Sequence, residues 1–303
     1  MEADLFPLRL CYCQLRAVLP RCGLMKISPG QTVLITGAPG GLGTYITEAF
    51  ADRGVKLALV AYPGADLETL RRKMEQRGVK TIALSVDLRD RAQRRDLIER
   101  VRRELGEIDI LVNNAGVEFT SYFHELSEDQ IEEVLSVNLE AAMILTRLVL
   151  PSMLQRKSGH IVNISSLAGR AAPAFQEAYS ATKAGLIAFN GSFRATYRGT
   201  GVSSSVITPG FVEAGIYSKL KSTSGQKAPF SFGVSSPEKV ARAAIRAVEN
   251  NVPEIIINPM PIRPMLMLSL FCPSAAEWVI EKLGATRFFA RAAEAQKKAS
   301  QKS

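Results

Sequence analysis

Histidine and cysteine are scarce in this chain, which holds two histidines and four cysteines among its 303 residues. A structural zinc site needs four such ligands at close spacing, yet the pair Cys11 and Cys13 has no histidine near it. A disulfide framework is not indicated either, because such chains are short and rich in regularly spaced cysteines. We therefore predict no metal site and a reducing compartment, the cytoplasm. His124 and His160 fit no catalytic pattern and are interpreted as structural.

Long apolar runs are also missing, since no stretch reaches the roughly 18 residues that a membrane-spanning helix needs. Positive charge is in excess instead, with a formal net charge of +9, which raises nucleic acid or an anionic surface as partners. Much of this charge lies between Arg89 and Arg103, where arginines alternate with apolar residues at helical spacing. No aromatic residues interleave with them, as a single-strand binding surface would require. We interpret the segment as the solvated face of a surface helix and predict no nucleic-acid partner.

Apolar, β-rich runs alternate with helical patterns from Gln31 onward, which is typical of parallel βαβ units. Ser127 and Gln130 form a predicted capping box for a long helix, and the segment 211–235 is expected to be irregular. Right-handed crossovers give an α/β fold, a doubly wound sheet of about seven parallel strands with helices on both faces. In chain order, the predicted strands are Thr32–Thr36, Lys56–Ala61, Thr81–Val86, Ile110–Val112, His160–Ile164, Ser203–Ile207 and Glu254–Ile257.

Glycine-rich and polar segments fall at the carboxyl ends of these strands, where doubly wound sheets bind ligands. The turn Thr36-Gly-Ala-Pro-Gly-Gly-Leu-Gly43 leads from the first strand into a helix. Glycines there let the backbone approach a pyrophosphate at the helix N-terminus, although tight turns also need glycine for conformational reasons alone. The other strand-end residues are Asp87, Asn113, Asn114, Ser166, Pro209 and Gly210.

Tyr179 and Lys183 lie four residues apart and share one face of a predicted helix. A tyrosine hydroxyl ordinarily has a pKa of about 10, and a nearby ammonium lowers that pKa toward the range useful for proton transfer. Ser166 precedes Tyr179 by thirteen residues and offers a hydroxyl to hold a substrate oxygen. Ser165 is the competing hydroxyl, and the spacing favours Ser166. A Tyr-x-x-x-Lys pair alone is common on helix surfaces, so its interpretation depends on the other motifs.

Together with Asn138, these motifs resemble the short-chain dehydrogenase/reductase family, whose fold is of the Rossmann type, over about residues 31–258. The resemblance implies hydride transfer between a nicotinamide cofactor and a carbonyl or alcohol. It assigns Tyr179 as the acid/base, Lys183 as the ligand of the nicotinamide ribose and Ser166 as the group that polarises the substrate oxygen. Asn138 would hold a water in the proton relay. The implied cofactor-binding residues are Gly37, Gly41, Leu42, Gly43, Tyr62, Asp87, Asn114, Tyr179, Lys183, Pro209, Gly210 and Val212.

The end of the second strand departs from the pattern of NAD-preferring family members. Ala61, followed by Tyr62, stands where those members carry an acidic residue. Without that carboxylate a 2′-phosphate is not repelled, which favours NADP(H) over NAD(H), although the basic residues that usually hold the phosphate are absent too. Pro39 removes one backbone N–H donor from the glycine turn, and Ala214 replaces a threonine that often contacts the carboxamide. Both changes keep a second hypothesis open, a catalytically idle Rossmann-fold binding or scaffold protein.

A hydrophobic substrate, lipid-, steroid- or acyl-like, is predicted from apolar residues that follow two of the motifs. The alternative is that these side chains only pack a lid. They are Phe119, Tyr122, Phe123, Phe211, Ile216, Tyr217, Phe230 and Phe232.

Both termini exceed what the fold needs. Residues 1–24 are predicted to be an extension upstream of the catalytic domain, 25–258, with Met25 as a hypothetical alternative start. Residues 259–303 form an apolar and basic tail, expected to pack over the substrate cleft or across a subunit interface. The family resemblance implies a homodimer or homotetramer. The alternative for the tail is a peripheral membrane contact, because apolar residues flanked by cations suit a lipid surface.

Overall fold

The computed structural model of the protein describes residues 25–300, with side chains to residue 298, so the predicted extension at 1–24 lies outside it. The described residues contain a seven-stranded parallel sheet in the order β3-β2-β1-β4-β5-β6-β7, which confirms the doubly wound α/β fold. The order reverses between β1 and β4, and that switch point opens a crevice at the strand ends. The strands are β1 Thr32–Thr36, β2 Lys56–Ala61, β3 Thr81–Ser85, β4 Ile108–Asn113, β5 Gly159–Ile164, β6 Val202–Pro209 and β7 Glu254–Ile257.

Helices connect consecutive strands, and local sequence signals fix several of their ends. The Asp90 side chain accepts hydrogen bonds from two backbone N–H groups at the start of α3, and Gly106, with φ 93°, ends that helix. The predicted capping box of Ser127 and Gln130 forms at the start of α4. The helices are α1 Gly41–Ala51, α2 Glu68–Gln76, α3 Arg91–Leu105, α4 Glu128–Leu135, α5 Ala141–Arg156, α6 Ala168–Ala171, α7 Glu177–Thr196, α8 Gly215–Ser224, α9 Pro237–Glu249, α10 Arg263–Phe271, α11 Pro273–Lys282 and α12 Ala285–Ser300, with a π-helical turn at Ser136–Glu140 between α4 and α5.

The helices cover both faces of the sheet. Side chains alternate between the two faces along a strand, so Val33 and Ile35 of β1 pack with α1 and α9, while Leu34 packs with α3 and α5 on the other face. All three are fully buried. Each side chain of this size contributes about 1.5–3 kcal/mol by its burial, and the two layers together fix the positions of the strand ends.

Several predicted elements differ from those in the structure. β6, for example, runs from Val202 to Pro209 and is longer than predicted. β4 begins at Ile108 rather than Ile110, because the carboxylate of Asp109 accepts a hydrogen bond from the backbone N–H of Thr32 (2.9 Å) and so fits inside the sheet. The segment 211–235 is not irregular throughout, since it contains α8. Tyr217 and Leu220 of α8 are buried against the C-terminal helices, a tertiary contact that local sequence does not display.

The prediction that the arginines of α3 lie on a solvated face is wrong for Arg94. Its side chain is buried, donating from Nη1 to the carbonyl of Leu88 (3.1 Å) and from Nη2 to Glu140 (2.9 Å). These bonds pair the two Nη groups of the buried guanidinium, while its Nε is buried without a partner. Arg94 therefore ties α3 to the π-helical turn.

By length and composition alone, the helical stretch Glu128–Arg156 could cross a membrane. It comprises α4, the π-helical turn and α5. Ala141, Leu145 and Val149 of this stretch are buried in the core against the sheet, and core helices of this kind meet the same criterion. The stretch is therefore weak support for a membrane location.

The three C-terminal helices pack back onto the domain. Phe288, Phe289 and Ala292 of α12 are buried against Tyr217 and Leu220 of α8, forming a third apolar cluster. Phe211 joins it, with its ring centroid 5.3 Å from that of Phe288. The described part of the tail thus encloses the segment that follows β6.

Candidate active site

A cavity of about 570 Å³ opens at the carboxyl ends of β1, β4, β5 and β6. Most of the predicted site residues line it, and four do not: Gly43, Tyr62, Asp87 and Asn138. The lining members are Gly37, Gly41, Leu42, Asn114, Ser166, Tyr179, Lys183, Pro209, Gly210 and Val212.

The glycine turn is closely packed and has no room for side chains. A Cβ atom on Gly37, which has φ +64°, would lie 2.8 Å from the Cα of Ala115, and one on Gly43 would clash with the carbonyl oxygen of Gly37. Asn114 holds the turn, because its side-chain amide donates to the carbonyls of Thr36 (2.9 Å) and Gly37 (3.0 Å). The turn leads into the N-terminus of α1, so exposed backbone there fits a pyrophosphate.

Ser165 and Ser166 have different environments. The hydroxyl of Ser165 is buried and donates to the backbone carbonyl of Lys183 (2.8 Å), which makes it structural. The hydroxyl of Ser166 accepts from the backbone N–H of Ala168 (3.1 Å), lines the cavity and lowers the pKa of Tyr179. The structure therefore places Ser166, and not Ser165, beside the tyrosine.

Tyr179 and Lys183 of α7 are both buried at the cavity wall. The Lys183 ammonium donates to the carbonyl of Ile164 (3.0 Å) and lies 5.5 Å from the centroid of the Tyr179 ring. Helical spacing brings the two side chains to one face, and the end of β5 anchors the lysine.

Burial dominates the electrostatics of this pair. It raises the pKa of Tyr179 well above the usual tyrosine value, although the Ser166 side chain opposes this. Burial also lowers the pKa of Lys183 to about 8. The predicted lowering of the tyrosine pKa by the lysine is not observed, because loss of hydration raises that pKa instead. Tyr179 carries its proton at neutral pH.

Asn138 lies in the π-helical turn, and its side chain is fully engaged with the chain after β4. Its Oδ1 accepts from the backbone N–H of Val117 (2.8 Å), and its Nδ2 donates to the carbonyl of Val117 (2.9 Å). A Cβ atom on Gly116 would lie 3.3 Å from Asn138 Oδ1 and 3.4 Å from Lys183 Nζ, so glycine at 116 brings them close. The relay role of Asn138 stays a prediction, and sequence patterns gave no sign of the π-helical turn.

Beyond the cavity, Tyr62 and Asp87 follow β2 and β3 and are joined by Arg89. The guanidinium of Arg89 donates to the Tyr62 hydroxyl (3.1 Å) and to Asp87 (2.8 Å), and it lies 3.9 Å from Glu133, which lines the cavity. The hydrogen bond from Arg89 holds the pKa of Asp87 below its usual value. Sequence analysis assigned Arg89 to a solvated face and so missed a cation at this end of the site.

The remaining cavity wall is largely apolar. Phe119, Phe211, Ile216, Tyr217 and Phe232 line it, as predicted for the substrate side. Phe230 does not, being 93% exposed, and neither do Tyr122 and Phe123. The C-terminal helices and the residue before them add Ile262, Met265, Ile280, Ala285 and Phe289.

One polar group in this wall escaped sequence analysis. Glu118, two residues beyond the Asn113–Gly116 motif, lines the cavity near Tyr179, and burial raises its pKa.

Neither histidine enters the site. His160 is buried beside Ser205 (2.9 Å), with its pKa lowered to about 3 by burial, and among residues 25–298 no three His, Cys, Asp or Glu side chains group as a metal site would need.

Comparison with known proteins agrees with the geometry. The family model described as short chain dehydrogenase matches residues 31–225. A ketoacyl reductase, HetN, from Nostoc sp. is 38% identical over 275 residues, covering 89% of this chain and 95% of the relative. The 3-oxoacyl-[acyl-carrier-protein] reductase FabG of Thermotoga maritima is 31% identical, covering 71% and 89%. A dehydrogenase/reductase SDR family protein 7-like of Drosophila melanogaster is 30% identical, covering 84% and 80%.

Proposed function

The chain belongs to the short chain dehydrogenase family of oxidoreductases, and on that premise we propose that it reduces the carbonyl of a hydrophobic, acyl-like substrate with NADPH. One observation carries the proposal: Ser166, Tyr179 and Lys183 all line one largely apolar cavity. Two of the relatives are named as reductases of oxoacyl groups, which supports an acyl substrate. The aromatic and aliphatic wall supports an apolar one.

The reaction follows from the chemistry of the side chains. A bound nicotinamide supplies the hydride, and the glycine turn and Lys183 are the groups placed to hold the cofactor. Ser166 donates a hydrogen bond to the substrate carbonyl, which polarises it. Tyr179 then donates its proton to the carbonyl oxygen, and the Lys183 ammonium stabilises the tyrosinate that remains. Tyr179 is protonated at neutral pH and so can serve as the proton donor in this direction.

A catalytically idle binding protein is not favoured. Pro39 and Ala214 were the residues that kept this alternative open, yet Ser166, Tyr179 and Lys183 form a complete proton-transfer site. The two relatives named as reductases of oxoacyl groups match 89% and 71% of this chain.

Substitution of the two neighbouring serines tests the proposal. Ser166→Ala should lower kcat for a 3-oxoacyl thioester by about 10²–10³-fold, the usual effect of removing a donor to the reacting oxygen. Ser165→Ala is the matched control, since it removes only the bond to the Lys183 carbonyl, and should retain most activity while lowering thermal stability. Cofactor oxidation is followed by absorbance. Equal losses in both variants, or wild-type enzyme inert toward a panel of long-chain ketones and oxoacyl thioesters, would contradict the proposal.

We base the choice of NADP(H) over NAD(H) on Arg89. Ala61 and Tyr62 offer no carboxylate to repel a 2′-phosphate. Arg89 is bonded to the Tyr62 hydroxyl (3.1 Å) and lies over the tyrosine ring, 5.3 Å from its centroid. A guanidinium held at this position is suited to a phosphate group.

Direct binding measurements with Arg89→Ala check this preference. The variant should bind NADPH about tenfold more weakly or worse, because a charge-assisted hydrogen bond contributes about 1.5–3 kcal/mol, while NADH binding changes little. Arg91→Ala, an exposed arginine nearby, is the control. Calorimetry or cofactor fluorescence gives Kd without turnover. Tighter binding of NADH by the wild type, or equal weakening for both cofactors, would show that Arg89 does not select the phosphate.

The outer face of α10 and α11 is proposed as a contact with an anionic membrane surface. Leu270, Phe271 and Trp278 are 75%, 81% and 61% exposed, although the same helices line the cavity on their inner side. The Lys282 ammonium lies 5.9 Å over the Trp278 ring. An aromatic residue beside a cation on an apolar face suits the lipid interface, and the net charge of +9 favours anionic lipid. A cytoplasmic location and a homodimer or homotetramer stay predictions.

Co-sedimentation with phosphatidylglycerol vesicles tests the membrane contact. Replacing both Leu270 and Phe271 by serine should weaken binding by roughly tenfold or more, because two large apolar side chains leave the lipid. Met143→Ser, at an exposed residue of α5, should leave binding unchanged. No binding of wild-type protein would contradict the proposal. Self-association that the double substitution abolishes would instead make a second copy of the chain the partner of this face.

A further inference from the structure

Glu118 introduces a polar group into the otherwise apolar end of the cavity. Its Oε1 accepts one hydrogen bond from Gln176 Nε2 (3.0 Å) and another from the Thr120 hydroxyl. Gln176 Nε2 also donates to Thr120 Oγ1 (3.3 Å), so the three side chains form one closed network. Thr120 and Gln176 are buried, which fixes the orientation of the carboxylate.

The network leaves one acceptor unused. Residues 25–298 donate no hydrogen bond to Oε2 of Glu118, and this oxygen is not among the fully buried, unpartnered atoms of the described residues. Oε1 of this half-buried residue accepts two protein donors and Oε2 accepts none, and Glu118 lines the cavity.

The network lies one helical turn from the catalytic group. Gln176 immediately precedes α7 and stands three residues before Tyr179, a separation of about 5 Å along the axis. Glu118 and Tyr179 line the same cavity, and the charge of Glu118 adds to the rise of the Tyr179 pKa. A substrate whose carbonyl is bound at Ser166 and Tyr179 would therefore pass Glu118.

From this arrangement we propose that Glu118 determines substrate specificity, its Oε2 accepting a hydrogen bond from a hydroxyl or amide N–H carried by an otherwise apolar ketone or oxoacyl substrate. This rests on the proposed function, whose substrate class it narrows. Substrates without such a donor leave a carboxylate desolvated and unpaired, and sites of this kind reject them strongly. Burial raises the pKa of Glu118, and the hydrogen bonds from Thr120 and Gln176 and the charge of Lys219, which also lines the cavity, oppose that rise.

Glu118→Gln gives a sharp test because the new side chain has the same shape. Its oxygen can still accept from Gln176 and Thr120, while its NH₂ replaces Oε2 and cannot accept. Two matched pairs of substrates separate the possible donors. One pair is a twelve-carbon 2-ketone with and without a hydroxyl further along the chain. The other is a 3-oxoacyl thioester of N-acetylcysteamine and the corresponding alkyl thioester, which lacks the amide.

In the wild type, kcat/KM should favour the donor-bearing member of at least one pair by roughly ten- to hundredfold, and in Glu118→Gln this ratio should fall to about one or below. Glu132→Gln, an exposed control on α4, should keep the wild-type ratio. Calorimetric binding of the matched product alcohols should show the same change in ratio without turnover. The binding measurement therefore tests Glu118 even if the reductase proposal fails. Equal ratios in wild type and Glu118→Gln, with only a uniform loss of activity or melting temperature, would overturn the proposal.

Discussion

The enclosure of Tyr179 and Lys183 in an apolar wall is the constraint on which the site depends. Water would hydrate both groups and let each titrate near its ordinary pKa. Burial instead raises the pKa of the tyrosine and lowers that of the lysine to about 8. The tyrosine is thereby a neutral proton donor, and the lysine is held by the Ile164 carbonyl (3.0 Å) at the end of β5.

The rest of the fold maintains that enclosure. The sheet brings the ends of β1, β4, β5 and β6 to one edge, so the glycine turn and the serine lie at the same cavity. The C-terminal helices close the far side, with Phe288 and Phe289 packed on α8. The same helices leave Leu270 and Phe271 exposed on the outside. The C-terminal helices therefore both cover the cavity and present an apolar surface to the outside.

Sequence analysis could predict what depends on local pattern. The alternating β and α segments fixed the sheet, and Ser166, Tyr179 and Lys183 followed from their spacing. It could not predict effects that arise from packing. The buried Arg94 and the helix α8 depend on tertiary partners. The sign of the Tyr179 pKa shift depends on burial, which spacing does not reveal. Arg89 and Glu118 had ordinary sequence contexts, and only the folded chain places the first beside Tyr62 and the second on the cavity wall.

Transfer of isotope from cofactor to product tests the central claim most directly. The protein is mixed with NADPH deuterated at the transferred position and a long-chain 3-oxoacyl thioester, and the product is examined by mass spectrometry within a single turnover. We expect one deuterium on the new carbinol carbon, and transfer at least about 100-fold slower in Tyr179→Phe, which lacks the proton donor. Unlabelled product, or equal rates in Tyr179→Phe and wild type, would contradict a site in which Tyr179 donates the proton during hydride transfer.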